Sequence, residues 1–223
     1  FWALSLLQLL NIKENPNRLN FILLGIFVGL AFLTKYAAIY FFLCFVLLFF
    51  EKDMRSIFLR HRASIGLFFV IFFIIIAPNI LWNLKNNWVT FDHTASNAAL
   101  DRASVNFYGG LQFFVSQIIM IGPVIFVFFI FKYFKSLTFD FNTKFLLTFS
   151  IPIFLIVLLE GVLVRSNANW AAVSLISFLI LFVRYVYSHN KTAVNINNYL
   201  NFCLGCVLFF FIASNSSLKP FKR

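Results

Sequence analysis

Charged residues are scarce in this chain: Asp, Glu, Lys and Arg make up 11% of its 223 residues, against an apolar share of 62%. Soluble domains carry about 25% charged residues. A soluble fold of this size has no interior large enough for so much apolar surface, so the excess faces lipid. Cysteine is nearly absent as well. Cys44, Cys203 and Cys206 all sit in apolar runs, an odd number that gives no disulfide framework. Cys203 and Cys206 form a C-x-x-C, but no basic or histidine neighbour activates a thiolate, which favours two small residues one helical turn apart over redox or metal chemistry. There is no P-loop, no G-x-G-x-x-G turn, no zinc motif and no serine triad. Nucleic acid is not an expected partner despite a net charge of +11. Nearly all the cations lie in short gaps between apolar runs, where they set topology and meet anionic head groups of membrane lipids.

What is abundant is phenylalanine, with 35 residues scattered without a repeat, read as lipid-facing and core bulk. The chain opens at Phe1 inside an apolar stretch and shows no cleavable signal peptide, so a truncated first helix is expected to end near Leu10. Apolar runs follow at 19–34, 36–50, 63–82, 108–131, 145–164, 170–187 and 199–213. The expected fold is all-α: a polytopic membrane helical bundle of about seven transmembrane helices after the truncated one, forming a single transmembrane domain over 1–223. Runs 19–34 and 36–50 are separated only by Lys35. Each falls short of the roughly 20 residues of a perpendicular span, and a single helix of their combined length would overshoot the bilayer, so a tight hairpin is expected. Gly25 and Gly29 form a G-x-x-x-G packing face. Gly122 and Pro123 fall inside a run and predict a kink, with Gln117 placed to satisfy freed carbonyls or to bond across helices.

Lys and Arg alternate between richer and poorer gaps. The richer set holds Lys13, Arg18, the four cations of 51–62, Lys132, Lys135, Lys144, Arg184 and Lys191; the poorer set holds Lys35, Lys85, Arg102 and Arg165. The richer side is expected to be cytoplasmic. Lys219, Lys222 and Arg223 violate this if run 199–213 spans, which leaves a re-entrant run or a tolerated short tail. On this orientation Lys35, the polar segment 83–106 and the turn 165–169 share the extracytoplasmic face. The sequon at Asn190 then lies on the cytoplasmic side, and neither it nor the one at Asn215 carries weight.

Each polar feature has a plain reading beside a functional one. Lys35 either snorkels to head groups or binds a lipid phosphate. Segment 83–106 contains Trp82-adjacent and Trp88 belt positions, Asp92, His93, Asn97, Asp101 and Arg102. Asp92 and His93 are adjacent and lack metal-pair spacing, while His93 and Asn97 share one face of a short extracytoplasmic interfacial helix. Glu160 lies at membrane depth, where ionisable groups face a partner or a cavity; Arg165, five residues on, is an imperfect helical partner. Asn167, Asn169 and Trp170 form a turn in which Asn169 either caps the next helix or, with its neighbours, binds sugar hydroxyls.

Four stretches together resemble a known family. "GLAFLTKYAAIYFF" is similar to a G-L-A-x-L-[ST]-K-Y-[TS]-A segment, "PNILWNLKNNWVTFDHTASNAA" to a P-x-x-x-W-N segment with an H-T-x-x-N continuation, "GGLQFFVSQIIMIGP" to an F-x-x-x-Q-x-x-x-x-G-P helix, and "EGVLVRSNANWAAVSL" to an E-x(4)-[RK]-x-x-x-N-W-[AP]-A turn. These belong to the family 39-like membrane glycosyltransferases of the GT-C class, relatives of protein O-mannosyltransferases and the lipid A aminoarabinose transferase. The resemblance runs in order over 19–185. It implies an enzyme of the bacterial inner membrane that transfers a sugar, with inversion, from a polyprenyl-phosphate donor to an extracytoplasmic lipid, glycan or protein. It also implies that the catalytic acidic residues precede Phe1, so no catalytic base and no metal ligand is assigned here; a divalent metal in the longer enzyme is compatible with the family. By the same resemblance Lys35 and Arg165 are candidates for the donor phosphate, His93, Asn97, Glu160, Asn169 and Trp170 for the substrate cavity, and Glu160 for orienting Arg165.

Two other classes compete: a transporter or lipid flippase, which paired half-helices and inverted repeats would mark, and an inactive remnant of a split glycosyltransferase gene. Neither mark of the first is found. For the second, the genomic sequence upstream of Phe1 decides: the enzyme reading expects an open frame whose first outer loop carries Asp or Glu, and a stop codon there overturns it.

Overall fold

The computed structural model describes residues 1–98 and 105–217, and all regular structure among them is helical. Asp101, Arg102, Lys219, Lys222 and Arg223 lie outside the described residues, as do the side chains of Asn97 and Asn215. Helix α1 (Trp2–Glu14) turns at Asn15–Asn17 into α2 (Arg18–Thr34), whose first turn is capped by the Asn17 side chain accepting from the Asn20 N–H at 2.9 Å. At Lys35 the backbone is extended (φ −159°, ψ 125°), and a 3₁₀ turn (Tyr36–Ile39) leads into α3 (Tyr40–Leu47) and a second short turn (Leu48–Phe50). Next come the amphipathic α4 (Lys52–Arg60) and the long α5 (Arg62–Lys85).

Contacts along α5 confirm the hairpin. Phe21 stacks on His61 and Phe32 meets Phe72, so α2 runs parallel to α5. Phe42 meets Phe72, Phe45 meets Phe68 and Phe49 meets Phe58, so the returning arm runs the other way. Gly25 and Gly29 make the first contact possible: a methyl group at Gly25 would sit 2.7 Å from the Phe68 carbonyl oxygen, and one at Gly29 2.8 Å from the Ile75 side chain. In lipid, helices gain nothing by hiding apolar surface from one another, so close packing of this kind is what holds them. Aromatic pairs supply much of the rest. Phe41, Phe58, Phe68 and Phe149 are fully buried, and edge-to-face or tilted ring pairs contribute about 0.5–1.5 kcal/mol each beyond their area.

The second half begins with α6 (Val89–Ala98) and α7 (Phe107–Ile121). The kink predicted at Gly122–Pro123 is a full break: α7 and α8 (Pro123–Phe128, prolonged by a π turn at Phe129–Tyr133) meet at 100°. Gly122 takes φ +108°, a region open to glycine, and Pro123 has no N–H to continue the ladder. The Asn197 side chain stabilises the break from outside, accepting the Ile125 N–H at 3.2 Å. Gln117 does not serve the bend; its amide reaches another part of the chain, described below. Helices α9 (Phe141–Thr148) and α10 (Ile151–Leu163) form one apolar stretch, followed by α11 (Ala172–His189) and α12 (Lys191–Ser217).

Four stretches are long and apolar enough to cross a membrane: Arg62–Lys85, Phe141–Leu163, Ala172–His189 and Lys191–Phe211, with a fifth if the bent pair counts as one. The hairpin arms, Arg18–Thr34 and Tyr36–Phe50, are shorter. All seven expected runs are therefore helical, and the fold is an all-α polytopic bundle. The re-entrant alternative for the last run finds no support, since α12 is unbroken over 27 residues. Its outward residues, Phe202, Phe209, Phe210 and Phe211 among them, are exposed, as a lipid-facing surface requires.

Charge segregates between the two ends of the bundle. At one end Lys13 lies over the Phe141 ring at 4.0 Å, Lys144 is 4.0 Å from Glu51, and Arg184 donates to Asp140 at 2.8 Å. At the other lie Lys35, α6 and the turn after α10. Asp140 also caps α9 by accepting the Thr143 N–H at 2.8 Å, and these donors hold its carboxyl down at about 2 against an ordinary 3.8.

Two outcomes are expected. Gly25→Ala drives a methyl into main-chain oxygen and lowers stability by about 1–3 kcal/mol, read as a lower thermal midpoint in detergent. The depressed Asp140 carboxyl stabilises the fold above its unfolded pKa, so the stability gap between wild type and Asp140→Asn is complete above about pH 4 and closes as pH falls through about 2. A gap independent of pH would exclude the ion pair as its source.

Candidate functional site

Lys35 stands at the hairpin tip because α2 ends there. Its N–H closes the helix onto the Ala31 carbonyl at 3.0 Å, and its charge sits at the negative pole of α2, where a cation is favoured. Tyr36 follows and is locked from three sides. Its hydroxyl lies 3.1 Å from Asn79 Oδ1 and 3.2 Å from Thr90 Oγ1, and its ring stacks on Phe91 at 5.1 Å. Thr90 donates to Asn83 Oδ1, and the fully buried Asn83 donates back to the Asn79 carbonyl at 3.0 Å. This network fastens α6 across the C-terminal end of α5. It depends on a tight reversal at Asn87 and Trp88, both with positive φ (53° and 56°).

The turn after α10 is drawn in by two side chains from distant helices. Lys35 Nζ donates to the Asn169 carbonyl at 2.7 Å, and Gln117 Nε2 donates to the Ala168 carbonyl at 2.8 Å. The Asn106 N–H also bonds the Val162 carbonyl at 2.6 Å, at the end of α10. Asn169 does not cap the next helix: α11 begins one turn later, after Ala171, with no side-chain cap. Its main-chain oxygen is the part that is used.

Between these elements lies a cavity of about 500 Å³ lined by Lys35, Tyr36, Tyr40, Thr94, Glu160, Asn167 and Trp170. Of the residues singled out from sequence, Lys35, Glu160, Asn167 and Trp170 line it. Asn169 touches it through Lys35. Arg165 and His93 are exposed and are not among the lining residues. Glu160 and Arg165 do not pair: Glu160 stands in the last turn of α10 and lines the cavity, and the chain leaves the helix at Val164 (φ −142°, ψ −86°) before Arg165. Tyr40 and Thr94 were not foreseen. Tyr40 had a signal, four residues after Tyr36 on the same side of the turn; Thr94 had none before α6 was placed.

Electrostatically, the site holds an uncompensated cation. No carboxylate lies within ion-pair reach of Lys35 among the described residues, and burial pushes its ammonium below the ordinary value. Its present acceptor is a neutral carbonyl. Among the described residues no three His, Cys, Asp or Glu side chains converge, so no step is derived through a metal.

Comparison with known proteins agrees with this architecture. Residues 1–82 match the family described as dolichyl-phosphate-mannose-protein mannosyltransferase. The lipid A galacturonosyltransferase RgtD of Rhizobium johnstonii is 29% identical over 194 residues, covering 84% of this chain and 39% of its own length. The chain thus spans about two fifths of the relative it matches. No solved structure matches it. The two matches bear out the resemblance to membrane glycosyltransferases of the protein-mannosyltransferase type, in the GT-C class.

Proposed function

We propose that this chain forms the donor-binding part of a membrane glycosyltransferase that moves a sugar from a polyprenyl-phosphate carrier to an acceptor on the extracytoplasmic face of the bacterial inner membrane. The observation that carries this reading is Lys35: an ammonium without a carboxylate partner among the described residues, on the wall of a cavity at the charge-poor end of the bundle. A phosphate is the anion such a site lacks.

The chemistry follows from charge. When the bond between the sugar's anomeric carbon and the phosphate oxygen breaks, the carrier phosphate gains negative charge. An ammonium held at that oxygen stabilises the transition state more than the ground state. Lys35 is held there by α2 and needs only to exchange the Asn169 carbonyl for phosphate. Tyr40 and Trp170 offer a hydroxyl and ring faces to the sugar, and Glu160 accepts from its hydroxyls. Arg165, on the adjoining turn, approaches the same phosphate if the turn closes, and α6, which carries His93, stands toward the acceptor. The residue that activates the acceptor is expected outside this chain. The name of RgtD points to a lipid acceptor and an acidic sugar for that protein; a lipid acceptor is the reading we extend here.

In the full-length protein, Lys35→Ala is expected to weaken binding of a polyprenyl-phosphate sugar about 10–100-fold, the worth of a charge-assisted hydrogen bond, while Lys35→Arg retains most of it. Donor affinity unchanged in Lys35→Ala, measured by titration in nanodiscs, would overturn the proposal.

A further inference from the structure

A second cavity, of about 430 Å³, lies at the opposite, charge-rich end of the bundle. It forms where the α1–α2 turn meets the α4–α5 junction, held together by the stacking of Phe21 on His61 at 6.3 Å. Asn17, Arg18, Arg60, His61, Arg62 and Ser64 line it. None of the three arginines has a carboxylate within ion-pair reach among the described residues.

The placement of two of them is unfavourable as it stands. Arg18 is the first residue of α2 and Arg62 the first of α5, and neither helix has an acidic residue in its first turn. Both put a cation at the positive pole of a helix, where an anion belongs. His61 gives α5 no side-chain cap. The first inward bonds come from the Ser64 and Ile65 N–H groups at 2.9 and 3.1 Å, which leaves the N–H groups of Arg62 and Ala63 open. Ser64 adds an independent sign. It is 8% exposed, lines the cavity, and its hydroxyl has no hydrogen-bond partner among the described residues. Three unpaired guanidinium groups, open helix N–H groups and the unpartnered hydroxyl of a largely buried serine around one cavity are the complement of a phosphate group. Leu19 and Leu59, 61% and 65% exposed, flank the arginines with apolar surface, as a membrane-facing rim would.

We infer that this cavity binds a phosphate group, separate from the donor site, at the charge-rich end of the bundle. The ligand is a phosphate-bearing lipid head group or free phosphate. The test measures thermal protection of the full-length protein in detergent by short-chain phosphatidic acid, by short-chain phosphatidylcholine and by inorganic phosphate. Phosphatidic acid should raise the unfolding midpoint and phosphatidylcholine should not. Protection by inorganic phosphate as well identifies the free ion as a ligand; its absence identifies the lipid. The double variant Arg60→Gln with Arg62→Gln should need about tenfold more phosphatidic acid for the same shift, and Ser64→Ala, which alters no charge, several-fold more. Without ligand the double variant should be about as stable as wild type, since Arg62 leaves the positive pole of α5 while Arg60 leaves the negative pole of α4. Arg55→Gln, on the same end but outside the cavity, should behave as wild type. Equal weakening in Arg55→Gln would show a diffuse basic surface and overturn the site, as would the absence of protection by either phosphate compound.

Discussion

The close parallel contact of α2 on α5 decides where everything at the charge-poor end stands. In lipid there is no solvent to drive helices together, so their relative height is set by the points at which main chains touch. Here those points are Gly25 and Gly29 against Phe68, Ile71 and Ile75. They bring the end of α2 level with the last turns of α5, so that Lys35 and Tyr36 meet Asn79, Asn83 and, through them, α6. A larger residue at either glycine would part the helices and lower the hairpin tip relative to the groups it must reach.

Above that contact the structure is tied by polar bonds rather than apolar ones. Lys35 and Gln117, from α2 and α7, both hold main-chain oxygens of the turn after α10. The turn is thus suspended from two helices that belong to different halves of the chain, and the cavity is the space left beneath it. A lysine bound to a neutral carbonyl keeps its charge without a counter-ion. It leaves the site ready to exchange that carbonyl for an anion, and such an exchange would loosen the turn at the moment the anion arrives. Under the proposed function, anion binding and the position of the Arg165–Trp170 region would be coupled through this one side chain.

The two ends of the bundle obey different electrostatic rules. At the charge-rich end cations are many, and some are answered: Asp140 takes Arg184, and Glu51 takes Lys144. Others, at the starts of α2 and α5, are not. At the charge-poor end cations are few, and among the described ones Lys35 is the one placed on the wall of the cavity.

Composition and spacing made the bundle, the hairpin at Lys35 and the grouping of Lys35 with segment 83–106 and the 165–170 turn legible in the sequence, because apolar run length and the alternation of Lys and Arg report directly on what must lie in lipid and what must not. The break at Gly122–Pro123 was legible as to place but not as to size, since its 100° depends on Asn197 accepting an N–H from a helix more than seventy residues away in sequence. Among the site residues, those that carry a charge or an amide at membrane depth could be named in advance; which of them share a wall could not. Glu160 and Arg165 are five residues apart yet face different ways, and Lys35 and Asn169 are far apart yet bonded. What the sequence by itself determined is which segments leave water and which polar residues that leaves to be explained. Which of those residues meet was decided only by tertiary packing, because in a helical bundle the rotation and height of each helix are set by contacts with its neighbours, and those contacts are not local to the chain.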